Sequence, residues 1–149
     1  MTEEEKWDYI NSLDEELLFG GVMISEWSTF IIRDADVAFC SGANLSAILA
    51  SQAAIESHLR FEYFDSPETR NISFYELIEK SPIPSELKIS IHRLRRFRNK
   101  WVHVNTPNED AELLEKPEYY EGWTRFYLVF RFSEPYWNLN GTRYSKIGT

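Results

Sequence analysis

The 149-residue chain reads as all-α, a compact helical bundle of four core helices plus short extra helices. Three observations predict this. Apolar residues recur at three- and four-residue spacings, and Gly, Pro and Asn divide the chain into segments of helical length. From Ala43 to Tyr63 neither Gly nor Pro interrupts, and the run is long enough for five turns or more.

Taken in order, Thr2 followed by Glu3, Glu4 and Glu5 marks an N-cap with acids in the first turn, and Gly20-Gly21 closes a helix predicted over Glu3 to Leu18. Residues 1–22 are expected to form this N-terminal helix, loosely attached to a domain of residues 23–137. Ser25-Glu26-Trp27 opens a second helix through Ala38, broken at Ser41-Gly42, and Ala43 to Tyr63 is the third. Asp65-Ser66-Pro67 turns the chain, a short helix spans Ser73 to Glu79, and Pro82-Ile83-Pro84 forces an extended connector. Ser85 is expected to cap a basic helix from Glu86 to Val104, stopped by Asn105-Thr106-Pro107, with Asn108 capping another over Glu109 to Glu115. Pro117 begins the last segment, where Tyr119, Trp123, Phe126, Tyr127 and Phe130 follow helical spacing and present an aromatic face for packing or, less simply, for base stacking. Residues 138–149 carry little apolar content and are expected to fray.

Composition narrows the class. Hydrophobic residues make up 43% and charged residues 27%, usual for a globular domain, with aromatics at 15% to fill a core. No window approaches the length of a membrane span, and the acidic start is unlike the basic start of a secretory signal, so a cytoplasmic location with no membrane contact is expected. Cys40 stands alone and, beside Val37, Ala38 and Phe39, reads as a buried side chain. His58, His92 and His103 lack the short spacings of zinc motifs, so no metal and no cofactor are expected. Gly20-Gly21 lacks the Gly-Lys-Ser/Thr of a phosphate loop, and no nucleophile elbow is present.

A net charge of −8 argues against a phosphate-bearing partner until its distribution is considered. From Lys88 to His103 there is no acidic residue, and Lys88, Arg93, Arg95, Arg96, Arg98 and Lys100 place six of the sixteen cations on one helix. At about 100° per residue, Leu87, Ile91, Leu94, Phe97, Trp101, Val102 and Val104 share an apolar arc that also contains Arg98. Lys88, His92, Arg95, Arg96, Asn99 and His103 share a polar arc, with Asn99 and His103 roughly 40° apart and able to face one groove. A guanidinium in an apolar stripe needs a partner or a cleft mouth. Glu56 shares a face with Leu45, Leu49, Gln52, Leu59 and Tyr63, so an Arg98–Glu56 pair between packed helices is expected.

Arg98-Asn99-Lys100-Trp101-Val102-His103 resembles the hallmark of the HEPN family, an arginine, usually followed by a polar residue, then a histidine near the end of a helix. Asn44 to Arg60, with Ala53-Ala54-Ile55-Glu56 inside, looks like that family's earlier core helix, which often carries an acid. The resemblance covers Trp27 to Phe132. It implies a HEPN-like bundle that forms a homodimer and cuts RNA without metal, as a toxin or phage-defence effector, with a protein antitoxin or defence-system component as a possible partner.

Under this resemblance Arg98, Asn99 and His103 are catalytic, Glu56 supports them, and His92, Arg95, Arg96 and Lys100 bind RNA. The residue types suit the chemistry. Histidine, ordinarily titrating near pH 6.5, exchanges a proton with the 2′-hydroxyl or the leaving 5′-oxygen, while arginine stabilises charge on the phosphorane. The products would be a 2′,3′-cyclic phosphate and a 5′-hydroxyl, and DNA would resist. Asn105 stands where the branch regulated by adenylation has a tyrosine, so that regulation is not implied. The alternative is a non-catalytic HEPN-like binding or adaptor protein. Surplus apolar surface at Phe97, Trp101 and the aromatic last helix is the reason for expecting the dimer.

Overall fold

The computed structural model describes residues 1–17 and 26–102. Among them are five α-helices, α1 (Glu3–Leu17), α2 (Glu26–Cys40), α3 (Asn44–Tyr63), α4 (Phe74–Lys80) and α5 (Ser85–Val102), with one 3-10 turn at Pro67–Thr69 and no strand. The all-α bundle expected from the sequence is the observed architecture of these residues. The helices expected after α5, the aromatic segment from Tyr119 to Phe130 and the tail lie outside the described residues.

Local chemistry starts and stops these helices. At α1 the Glu5 amide donates to Thr2 Oγ1 at 3.2 Å while the Thr2 amide donates to the Glu5 carboxylate at 2.6 Å, a reciprocal capping box. The same device starts α4, where Ser73 and Glu76 exchange bonds of 3.0 and 3.2 Å. The Ser73 amide and hydroxyl hold the Glu76 carboxyl below its ordinary pKa, as the Thr2 amide and hydroxyl do for Glu5. Helix α2 ends in a Schellman motif, with Ala43 N–H donating to Ala38 O at 2.8 Å and Gly42 N–H to Phe39 O at 3.1 Å. Gly42 adopts φ of 85° there, a left-handed conformation that a side chain disfavours. Ser85 is not the cap expected for α5; it is the first helical residue, and Pro84 supplies the preceding carbonyl, accepting from Lys88 N–H at 3.0 Å. Proline's fixed φ and lost donor cost nothing outside the helix's own ladder.

Helix α3 is buried along two adjacent stripes. Ile48, Ile55 and Leu59 join Ile78, Ile83, Leu87, Ile91 and Leu94 in one core against α4 and α5, with Tyr63, Phe74 and Phe97 packed at its margin. One residue back on the wheel, Ala47, Ser51, Ala54 and His58 form the second stripe, and Ala47 joins Ile10, Ala35, Phe39 and Cys40 in the core shared with α1 and α2. Small residues on both α2 and α3 let their backbones approach closely. At the opposite end of the pair Ser28 Oγ donates to Ser57 Oγ at 3.1 Å. Helix α1, expected to be loosely attached, buries Ile10 and Leu13 and sets Lys6 Nζ over the Phe39 ring, 5.2 Å from its centroid. Cys40 is buried as its neighbours suggested.

His58 is an uncompensated polar side chain of α3. It is 5% exposed, neither ring nitrogen has a hydrogen-bond partner among the described residues, and burial pushes its pKa down to about 4 from 6.5. Above pH 6.5 the ring is neutral folded or unfolded and adds no pH dependence. Between pH 6.5 and 4 the unfolded chain takes the proton first, so stability falls with pH by about 3 kcal/mol in total. Denaturant titrations at pH 7.5 and 4.5 should therefore show a smaller acid loss for His58→Leu than for wild type, and parallel losses would contradict the assignment.

Candidate functional site

The cationic ridge of α5 is divided by α4. On its apolar side Leu87, Ile91 and Leu94 are buried and Phe97 is half-buried, as the wheel requires. Val102, expected in that arc, is 43% exposed. On the polar side α4 covers the first half of the helix. Lys88 Nζ donates to Glu79 O at 2.7 Å, and His92 Nε2 stands 2.6 Å from Glu79 Oε1. His92 is 9% exposed, an interior position for a residue expected to contact RNA. Its ring centroid lies 5.0 Å from that of Tyr75.

Arg95 follows on the same face. Its Nε donates to His92 Nδ1 at 3.4 Å and its guanidinium carbon lies 5.2 Å above the Tyr75 ring. With Nδ1 accepting, the imidazole proton sits on Nε2 and is donated to Glu79, so one tautomer satisfies both neighbours. Tyr75 and Glu79, four residues apart on one face of α4, were not singled out from the sequence. Their spacing after the Ser73 capping box was visible, but a wheel does not say which helix meets which.

Past α4 the exposure of the ridge is mixed. Arg96 and Lys100 are exposed, and Arg98 and Asn99 are half-buried. Arg98 Nη1 donates to Asn99 Oδ1 at 3.1 Å, which brings two of the three expected catalytic side chains together; His103 lies outside the described residues. Arg98 makes no ion pair with a carboxylate among the described residues.

The expected Arg98–Glu56 pair is not formed. Glu56 Oε1 accepts from Arg60 Nη2 at 3.0 Å, one turn along α3, and the same nitrogen donates to Ile72 O at 2.8 Å. A partner four residues away on the same helix needs no tertiary alignment, and Arg60 also satisfies a carbonyl of the connector leading to α4. Glu56 thus pairs with the arginine that anchors the 64–73 connector and does not neutralise Arg98. Both side chains of the pair are about a third exposed, at 31% and 32%.

Among the described residues no three of His, Cys, Asp and Glu converge to hold a metal ion, and no helix is long and apolar enough to cross a membrane. Comparison with known proteins finds no matching family model, no matching curated protein and no matching solved structure.

An i,i+4 pair about a third exposed contributes little, so Glu56→Ala should lower stability by less than about 1 kcal/mol. A loss of 3 kcal/mol or more, the order expected for breaking a desolvated pair, would restore Arg98 as its partner. Urea denaturation of the two proteins at neutral pH makes the comparison.

Proposed function

We propose that the chain is a metal-independent endoribonuclease of HEPN type, with Arg98, Asn99 and His103 acting on RNA. The observation that supports it best is the Arg98–Asn99 pair near the C-terminal end of α5, half-buried, linked at 3.1 Å and without a carboxylate partner among the described residues. A partly desolvated guanidinium lacking a counter-ion favours an anion, and phosphate offers it paired acceptors.

Asn99 draws on one nitrogen of the guanidinium and fixes its plane, leaving the remaining donors for the scissile phosphate. Arg98 stabilises charge as the 2′-oxygen attacks phosphorus and the phosphorane forms. His103, four residues beyond Asn99, falls on the same side of the helix in the sequence wheel and supplies the proton exchange. Arg96 and Lys100 hold the strand through its phosphates, a term that falls with salt. A second copy brings a second motif to the cleft, and a toxin or defence role with a neutralising or activating protein partner follows from the family resemblance.

Of the apolar surface expected to support self-association, the Trp101 side chain and the last helix lie outside the described residues. Phe97 packs at the core margin, while Trp27 at 69% and Phe30 at 63% are the most exposed large side chains of α2. These residues and the net charge of −8 also favour a second reading, a non-catalytic adaptor that binds another protein.

The readings part on His103. Its replacement by alanine should leave helicity unchanged by circular dichroism and slow cleavage of mixed RNA in EDTA by about 10²- to 10⁴-fold. A folded wild-type dimer that cuts no RNA, or a mutant that cuts at the wild-type rate, turns the assignment to the adaptor.

A further inference from the structure

We propose that Arg95, held by Tyr75, His92 and Glu79, is a prebuilt receptor for a phosphodiester of single-stranded RNA, one helical turn from Asn99. The choice of RNA rests on the endoribonuclease reading; the receptor rests on its own geometry.

Arginine carries five N–H donors in a rigid fork. Among the described residues Arg95 engages only Nε, which donates to His92 Nδ1, and no carboxylate pairs with the guanidinium. The two terminal nitrogens, which form the bidentate edge, are therefore left to a ligand. The side chain is half-buried and lies over the Tyr75 ring, so little rotamer freedom remains to be lost when an oxyanion binds.

The support beneath Arg95 is a chain of directed bonds. Glu79 accepts from His92 Nε2, which leaves Nδ1 to accept from Arg95 Nε, and Lys88 ties the backbone of Glu79 to α5. A purely structural role would be complete at the His92–Glu79 bond joining α4 to α5. Continuing the chain to an arginine whose paired donors meet no acceptor among the described residues is the arrangement of an anion site. Arg95 and Asn99 are four residues apart, about 6 Å along the helix axis, so a strand held at Arg95 runs on to the Arg98–Asn99 pair. Arg95 is a binding residue in this account, and Glu79 and His92 are positioning residues.

The test measures binding of a fluorescent single-stranded 2′-O-methyl oligonucleotide, which keeps every phosphate but cannot be cut through a 2′-hydroxyl. Arg95→Gln should weaken binding about tenfold and reduce the log–log salt slope by roughly 0.7, the share of one single-strand phosphate. Arg95→Lys should keep the slope yet still lose affinity, because the charge remains and the fork does not. Arg93→Gln removes equal charge from an exposed position on another side of α5 and should change affinity less than twofold. Glu79→Ala should weaken binding in the wild-type background and have no further effect in Arg95→Gln, the signature of action through Arg95.

Equal losses for Arg93→Gln and Arg95→Gln, or no binding by the wild type, would overturn the receptor. So would equal, Arg95-dependent binding of a polyglutamate peptide, which would assign the fork to carboxylates. Arg95-dependent binding by a protein that cuts no RNA sinks the nuclease reading alone, whereas normal cleavage with Arg95-independent binding sinks the receptor alone.

Discussion

The burial of α3 on two sides is the constraint on which the rest of the described structure depends. One stripe, with Ile48, Ile55 and Leu59, builds the core toward α4 and α5; the adjacent stripe, with Ala47, packs toward α1 and α2. A helix enclosed in this way has little surface for charge, and its ionic residues are drawn to its edges. Glu56 and Arg60 stand at such an edge as a pair, and Arg60 binds the connector that delivers α4. The placement of α4 then decides which part of the α5 ridge is covered.

Covering half of a polar helix face produces two kinds of cation from one sequence pattern. Under α4, Lys88 reaches a backbone carbonyl and His92 a carboxylate. Beyond it, among the described residues, Arg98 bonds only to the neutral Asn99, and Arg95 sits on the boundary with its fork unengaged. Desolvation without a counter-ion is costly, and a protein that keeps arginines half-buried in this state gains affinity for whatever anion completes them. Under the proposed function, the net charge of −8 would disfavour phosphate binding away from the α5 ridge.

Helix positions were legible because they depend on local chemistry. Thr2 and Ser73 caps, the Gly42 stop and the Pro82-Ile83-Pro84 connector place helix ends to within one or two residues, and the period of α5 identified Leu87, Ile91 and Leu94 as core. Pairing between helices was less legible. A wheel gives the direction of Glu56 and Arg98 but not their offset along the axes, and a same-helix partner at i+4 intervened. The same blindness hid Tyr75 and Glu79, whose role appears only when α4 is laid against α5. Likewise Trp27 and Phe30 carry the apolar character of core residues yet stand exposed.

The central claim is chemical: the Arg98–Asn99 pair with His103 directs a 2′-hydroxyl onto phosphorus. Mass spectrometry of the ends produced when the purified protein is incubated with a defined RNA in EDTA tests it most directly. The account predicts a 2′,3′-cyclic phosphate on the upstream fragment and a 5′-hydroxyl on the downstream one, with no cut where a single 2′-deoxynucleotide replaces the residue before the scissile bond. Fragments ending in a 3′-hydroxyl and a 5′-phosphate, or cleavage that persists at the deoxy position, would contradict it.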